Sequence, residues 1–142
     1  MNGISNRVII DSDSVKNCWL KIKSAKGVDF FIDNFYQVMF EHHPDVHALF
    51  SEDTSEQKTK LLTTLDNVIN GIDYIEELEP TLIELGLYHK DININEEMYD
   101  AFISIIVETA NTSSDHRLTA KELTDWENAF REISNIMLKA YN

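Results

Sequence analysis

The chain has 142 residues, of which 43% are hydrophobic and 26% charged, as is typical of one soluble globular domain with a continuous core. Its formal net charge is −13 and its twelve Lys and Arg residues form no stripe, which argues against nucleic acid and anionic membranes as partners. Cys18 is the only cysteine, so an internal disulfide and a cysteine-based metal site are excluded.

The first ten residues are predicted to be a short tail on a single domain that spans residues 1–142. The only apolar run in the tail is Val8-Ile9-Ile10, which can fold back on the core but is too short for a signal peptide. No run in the chain approaches the roughly 18 apolar residues of a membrane span. We therefore expect a reducing, cytoplasmic location.

Four helices are predicted in the first half of the chain, where Gly27, Pro44 and the polar run 51–55 separate apolar residues at helical spacing. Short polar side chains at the starts of the first and fourth helices are expected to act as N-caps. The predicted helices extend from Ser12 or Asp13 to about Ala25, from about Val28 to His42, from Pro44 to Phe50, and from Ser55 to about Gly71.

The next predicted helix begins at Pro80, after an acidic connection over residues 72–79, because proline suits the first turn of a helix. One face of this helix carries Leu82, Leu85 and His89, at positions i, i+3 and i+7. Two leucines followed by an imidazole can present a neutral nitrogen to a flat apolar ligand. Taken alone, a histidine in such a place is more often a core or boundary residue.

Two more helices complete the predicted fold. Asn95 is a suitable cap for a helix that runs to about Ala110, and Thr119 with Glu122 fits a capping box at the start of the last helix. No alternating strand pattern and no internal repeat is present. The sequence therefore predicts an all-α fold of about seven helices.

Several short patterns also occur in a fixed order along these helices. They are Phe35-Tyr36 followed by Met39-Phe40, then Pro44 followed by Leu49-Phe50, Gln57 with Leu61 one turn later, Leu85-Gly86-Leu87-Tyr88-His89, and Tyr99 ten residues further on. In this order and spacing the chain resembles the bacterial haemoglobins, both the single-domain globins and the globin half of flavohaemoglobins. The resemblance covers about residues 15–140.

The resemblance implies a globin fold that encloses one haem b, with His89 as the proximal iron ligand. It implies that Tyr36 and Gln57 face the bound ligand on the distal side, that Phe50 packs on the haem face, and that Lys60 reaches a haem propionate. The remaining pocket residues that it implies are Leu61, Leu85, Ile94, Tyr99 and Phe102.

The implied chemistry agrees with these residue types. A neutral imidazole is a strong axial donor that leaves the other face of the iron open. A tyrosine hydroxyl and a glutamine amide in an apolar pocket each stabilise a partly charged acceptor such as dioxygen by about 1.5–3 kcal/mol. Taken alone, Tyr36 would be a boundary residue, and Gln57 and Lys60 would be solvated helix positions.

The resemblance also implies a function for this protein. It implies binding of O2, NO and CO at ferrous iron, with dioxygenation of NO to nitrate as the expected chemistry if a separate reductase restores the ferrous state. The alternatives are a haem-based gas sensor or an O2 storage or delivery protein that acts through a partner, and a helical domain that has lost haem. Either a monomer or a homodimer is compatible with the sequence.

The resemblance has one departure. Flavohaemoglobins place a glutamate late in the last helix, where it polarises the proximal histidine through a tyrosine. In this chain the corresponding position falls near Tyr141, which has no carboxylate. Tyr99 remains able to contact His89, but the sequence gives no basis for a strongly anionic imidazole.

A cluster of histidines offers a competing interpretation. With Asp45, the residues His42, His43 and His47 lie within six positions, and His43 and His47 have the i, i+4 spacing that metal sites use. No second ligand cluster accompanies them, and Pro44 divides the group. We interpret them as a solvated corner, from which one histidine could still turn toward a bound iron.

Overall fold

The computed structural model describes residues 9–50 and 52–142, and its regular elements in these ranges are all helical. Seven α-helices follow one another, with single 3-10 turns before the fifth and after the seventh. The helices are α1 (Ser12–Ala25), α2 (Gly27–His42), α3 (Pro44–His47), α4 (Ser55–Asn70), α5 (Ile75–Asp91), α6 (Glu96–Ser113) and α7 (Ala120–Leu138), and the 3-10 turns are Ile72–Tyr74 and Lys139–Tyr141.

Side-chain caps define three of the helix starts. The predicted capping box is present at α7, where Thr119 and Glu122 satisfy each other's backbone N–H groups, and Asn95 accepts from the N–H of Met98 at α6. At α1 the predicted cap, Ser12 or Asp13, was one or two residues late, because the carboxylate of Asp11 caps the helix by accepting from the N–H of Ser14. Ser55 is likewise inside α4 and does not cap it.

The predicted start of the fifth helix was wrong, because Pro80 lies inside α5, one and a half turns after its first residue. Ile75 and Leu78, which were assigned to an acidic connection, pack against the core and extend the helix toward its N-terminus. Glu76 and Glu77 lie in the first turn, where their negative charges interact favourably with the positive end of the helix dipole and stabilise the helix. Proline is tolerated so near the start because it removes a single helical hydrogen bond.

Two sets of contacts organise the core. Helix α7 packs against α1, α5 and α6, and α2 packs against α6, whereas α4 packs mainly against α1 and α2. Within the first set, Trp19 stacks on Trp126 with ring centroids 6.1 Å apart, and the indole N–H of Trp126 donates to the carbonyl of Ile106. The space left between α4 on one side and α5 and α6 on the other is not filled by protein atoms.

Part of the predicted tail lies outside the described residues, including Val8. Ile10 packs against the core as expected of a tail that folds back, but Ile9 is exposed. No helix in residues 9–50 and 52–142 is both long and apolar enough to cross a membrane.

Candidate functional site

An apolar cavity of about 430 Å³ lies at the position that the helices leave open. This volume falls within the range of small-molecule and cofactor pockets. Its wall is built from α2 to α7, and most of the wall atoms are apolar. Such a space inside an otherwise close-packed helical protein would be costly to leave unfilled, so the cavity indicates a bulky, largely apolar ligand.

All ten residues that the sequence analysis selected line this one cavity. They are Tyr36, Phe50, Gln57, Lys60, Leu61, Leu85, His89, Ile94, Tyr99 and Phe102. Seventeen others line it as well, among them several that were assigned to ordinary core or were not selected: Val68, Leu82, Ile105, Phe130, Ile133, Ser134 and Met137. Those in the last helix are three or four positions apart, so their helical periodicity could have predicted that they share one face.

His89 offers the cavity a free nitrogen lone pair. Its Nδ1 lies 2.7 Å from the carbonyl oxygen of Leu85, one turn earlier in α5. A carbonyl oxygen can only accept, so Nδ1 carries a proton, and the ring nitrogen that can bind a metal is Nε2. Nε2 has no partner among the described residues. This arrangement is that of a metal-ligating histidine whose other ring nitrogen is fixed by a backbone carbonyl.

Tyr36 is the phenol of the cavity wall. Burial raises its pKa to about 12, so the hydroxyl keeps its proton near neutral pH and can donate. No hydrogen-bond partner for this hydroxyl occurs in the described part of the chain. Its ring is held by Phe35, Phe40 and Phe50, with ring centroids 5.5–5.7 Å away. The hydroxyl is therefore positioned by packing and is available to a ligand.

Gln57 brings a second unsatisfied polar group to the same wall. Its Oε1 is buried and lacks a hydrogen-bond partner within residues 9–50 and 52–142. A buried amide without a partner is unfavourable by about 1–3 kcal/mol, and such groups call for a bound molecule or a water. Rotation of the amide by half a turn would present its NH2 group to an acceptor instead.

Phe50 follows the short helix α3, which ends at His47 and not at Phe50 as predicted. Its ring packs edge-on against Tyr36 and lies 5.4 Å from the ring of Phe40. The three rings form an apolar corner between α2 and α4. This corner shields the Tyr36 side of the cavity from solvent.

Lys60 and His43 provide the cationic and titratable groups at the rim. The Lys60 side chain is 73% exposed and forms an i, i+4 ion pair with Glu56 at 3.1 Å. Such exposed pairs are weak, so Lys60 can exchange this partner for another anion. His43 also lines the cavity, whereas His42 and His47 are exposed and His47 stacks on Phe40.

The histidine cluster brings no third ligand together with its histidines in the described residues. No group of three His, Cys, Asp or Glu side chains in the described ranges could hold a metal ion. The interpretation as a corner with one histidine turned toward the cavity therefore agrees with the geometry.

Tyr99 and Tyr141 close the cavity beyond His89. The ring of Tyr99 lies 6.2 Å from that of His89, and its hydroxyl is 3.3 Å from the hydroxyl of Tyr141. Tyr141 in turn donates to the carbonyl of Ile94 at 2.6 Å. The sequence analysis noticed that Tyr141 replaces a carboxylate but did not predict this long-range contact.

A second depression, of about 700 Å³, lies beside Trp19, Lys23, Lys26 and Asp66. It is broader but more open to solvent, and its polar groups already pair with one another: Asp66 accepts from Trp19 and from Lys23. The smaller, apolar cavity is therefore the better candidate for the functional site.

The fold and the cavity define a helical protein with one imidazole donor in an apolar, cofactor-sized space. The Globin family model matches residues 33–137, about three quarters of the chain, and the chain belongs to the globin family. Among solved structures, a bacterial globin from Campylobacter jejuni superposes with a TM-score of 0.76 at 20% identity, over 92% of this chain and 96% of that one. No curated protein sequence gives a significant match.

Membership of the globin family implies a haem cofactor and small gaseous ligands such as O2. The residues present fit that group. The cavity is apolar and of cofactor size, and His89 lines it with Nδ1 held by the Leu85 carbonyl, which leaves Nε2 as the ring nitrogen that can bind a metal. The unpartnered atom of Gln57 is its amide oxygen, and with the amide turned by half a turn its NH2 group could donate to a gas bound in the cavity.

Proposed function

We propose that this globin binds haem b with His89 as the iron ligand and uses it to bind O2 and NO, with oxidation of NO to nitrate as its reaction. The observation that carries the proposal is the pairing, in one apolar cavity, of an imidazole whose Nδ1 is fixed by a backbone carbonyl, that of His89, with two polar side chains, Tyr36 and Gln57, that lack hydrogen-bond partners in the described residues. Haem iron, when bound, supplies the site at which the two gases meet. A separate reductase returns the iron to the ferrous state, and a cytoplasmic location supplies such a partner.

The chain's own residues account for selectivity. The Tyr36 hydroxyl, protonated at neutral pH, donates to a bound ligand that carries partial negative charge, and the Gln57 amide adds a second donor when it is turned. Dioxygen bound to ferrous iron accepts such bonds strongly, and carbon monoxide accepts them weakly. Two donors therefore favour tight, slowly released O2, which suits a reaction better than delivery.

Apolar residues exclude water from the same space. Phe50, Leu61, Leu85 and Phe102 are among the apolar residues that line the cavity. Exclusion of water strengthens each hydrogen bond to the ligand and slows loss of superoxide. Lys60 would hold a carboxylate of the cofactor at the rim, because the Glu56 carboxylate is its only ion-pair partner in the described residues and is itself exposed.

A haem-based sensor and an O2 storage protein remain the second candidates, because both would use the same pocket. The donor pair favours catalysis over storage, since storage needs ready release. A sensor would need a surface that changes on ligand binding.

Absorption spectra of the purified protein in the ferric, ferrous and CO-bound states test haem binding. We expect a Soret band in each state for the native protein, and its loss or a large shift in His89→Ala. His43→Ala is the matched control, because it removes the other imidazole of the cavity. A protein that stays colourless after haem is supplied, or a His89→Ala variant with an unchanged Soret band, contradicts the proposal.

Turnover with a reductase tests the reaction. We expect many equivalents of NO to be consumed for each haem and recovered as nitrate in the presence of O2, a generic ferredoxin- or flavin-dependent reductase and its reductant. Consumption of a single equivalent would favour storage or scavenging. A complex in cell lysate that forms only when the ligand is bound would favour a sensor.

A further inference from the structure

The two parts of α4 are held in the fold in different ways. Its buried side chains all lie in the C-terminal part, residues 65–70: Leu65, Val68 and Ile69. In that part the Asp66 carboxylate also accepts from the indole N–H of Trp19 in α1. The N-terminal part, residues 55–64, brings Gln57 to the cavity wall, but none of its side chains is fully buried. Packing therefore holds the N-terminal part of α4 less firmly than the C-terminal part.

One side chain joins the N-terminal part of α4 to α2. The Nζ of Lys58 lies 3.0 Å from Oδ1 of Asp33, and this is the only ion pair or hydrogen bond in the described residues that links residues 55–64 to another helix. The same Nζ lies over the ring of Tyr36, 5.9 Å from its centroid. Because Asp33 and Tyr36 are neighbours on the surface of α2, three positions apart, one ammonium group reaches both. Lys58 therefore ties α4 to the turn of α2 that carries the phenol of the cavity.

The contact made by Lys58 is next to the second polar side chain of the cavity. Lys58 directly follows Gln57, so a contact that fixes Lys58 also fixes the backbone that carries the Gln57 amide. The Lys58 side chain is 30% exposed and that of Asp33 is 64% exposed. A partly exposed ion pair combined with a cation–π contact alters an equilibrium by about 3- to 10-fold. This is enough to favour one position of the N-terminal part of α4 and too little to make that position permanent.

We propose that Lys58 is a positioning residue that holds the N-terminal part of α4 on α2 and so closes the cavity over a bound gas. While the contact is made, Gln57 stays at a fixed distance from Tyr36. When it breaks, α4 can move away from α2 and the gas can enter or leave. Lys58 does not itself line the cavity, so it acts through its neighbours. The inference rests on the proposed function, because it takes Tyr36 and Gln57 to be the groups that contact the gas.

Hydrogen–deuterium exchange of the purified full-length protein tests the contact without any gas. We expect Lys58→Met, which keeps the apolar stem and removes the charge, to speed exchange of the amides of residues 59–64 by about 3- to 10-fold. The amides of residues 65–70 should keep their native rates, because that part of α4 is held by packing. Lys58→Arg keeps the charge and should match the native protein throughout. Native exchange of residues 59–64 in Lys58→Met overturns the proposal.

Flash photolysis of the CO complex tests the consequence for the gas. We expect Lys58→Met to raise the association rate of CO by about 3- to 10-fold and to increase the fraction of CO that escapes after the flash. Tyr36→Phe, which loses a donor, should instead act mainly on the dissociation of O2. Lys16→Met is the matched control, because it removes an ion pair with Asp73 at 2.6 Å from a helix with no residue in the cavity wall. It should keep the native CO rates.

The outcomes separate this inference from the proposed function. Unchanged CO rates in Lys58→Met, or an equal change in Lys16→Met, overturn the role of Lys58. If Lys58→Met does not fold, Asp33→Lys decides, because it places a like charge against Lys58 at an exposed position. Native exchange of residues 59–64 in that variant also overturns the proposal. A native protein that stays colourless after haem is supplied overturns the proposed function, whereas the exchange rates still report whether Lys58 holds α4.

Discussion

Gly86 of α5 lies so close to the backbone of Met137 in α7 that a Cβ atom would overlap the Met137 carbonyl oxygen and lie 2.8 Å from its carbonyl carbon. Hydrogen is the only side chain that fits between these two helices. Because His89 follows Gly86 by three residues, this contact sets how deep the candidate iron ligand lies in the cavity. The requirement for glycine at this position is therefore one of packing and is unrelated to backbone conformation.

Gly86→Ala should lower the free energy of unfolding by about 1–3 kcal/mol, the usual range for overpacking, because backbone atoms cannot rotate out of the way. It should also speed haem loss from the holoprotein, since α5 must move. Chemical denaturation and haem transfer to an excess of an apo-acceptor would measure the two effects. Glu84→Ala, at an exposed position of the same helix, should stay within about 0.5 kcal/mol of the native value. Equal stability of the two variants would contradict the geometry.

Tyr36→Phe and Gln57→Leu should each raise the rate of O2 dissociation by about 10- to 100-fold, from a loss of about 1.5–3 kcal/mol per hydrogen bond to a charged acceptor. Stopped-flow measurements with excess CO would give these rates. Dissociation of CO should change by much less, because it accepts hydrogen bonds weakly. Since burial raises the pKa of Tyr36 to about 12, the O2 rate should not vary between pH 6 and 9 through this residue. Phe35→Leu, a ring neighbour without a polar group, is the packing control.

Glu122 should make the free energy of unfolding decrease at acidic pH. Its burial opposes ionisation, but hydrogen bonds from Lys21, from the Thr119 N–H and from Asn17 together outweigh burial and lower the pKa from 4.5 to about 2. A carboxyl whose pKa is lower in the folded state stabilises the protein above the unfolded value. That contribution, on the order of 2–3 kcal/mol, is lost as pH falls from about 4.5 to 2.

Glu122→Gln should therefore lower the free energy of unfolding at pH 7 and flatten its decline between pH 5 and 2.5. Urea denaturation at a series of pH values measures both. Glutamine can still accept from the Thr119 N–H, so the helix cap survives the substitution. Glu84→Gln should reproduce the native profile. A native-like slope in Glu122→Gln would show that other carboxylates cause the acid sensitivity.

Cys18 should not react with thiol reagents in the folded protein. It is fully buried, its Sγ–H donates to the Glu122 carbonyl at 3.4 Å, and desolvation, followed by the charges of Glu122 and Asp125, raises its pKa to about 12. As the only cysteine, it should give no absorbance change with a disulfide reagent at pH 8 in buffer and one equivalent in denaturant. Reaction of the native protein within minutes would mean that α1 opens readily.

Much of this site could be read from the sequence, because it depends on spacing along helices. His89, Leu85 and Leu82 share a face of α5 by periodicity alone, and Tyr36 and Gln57 follow from the order of the short patterns. The features that the sequence did not predict are those in which tertiary packing outweighs a local preference of the chain. The start of α5 is one such case, where packing of Ile75 and Leu78 outweighs the preference of Pro80 for a first turn.

Hydrogen bonds between residues far apart in the chain were also not predicted from the sequence. The contact of Tyr141 with Ile94 joins residues 47 positions apart and has no local pattern. The end of α3 at His47 was missed for a related reason, since the residues up to Phe50 are held by turn hydrogen bonds and by the aromatic corner with Tyr36 and Phe40. Neither feature changes the periodicity of the chain.

Among the described residues, α1 contributes nothing to the cavity wall. The inner face of α1 has Val15, Cys18 and Ile22 fully buried and Trp19 stacked on Trp126, and none of these side chains lines the cavity. The side chains that pack α1 into the fold are therefore separate from those that would hold the haem.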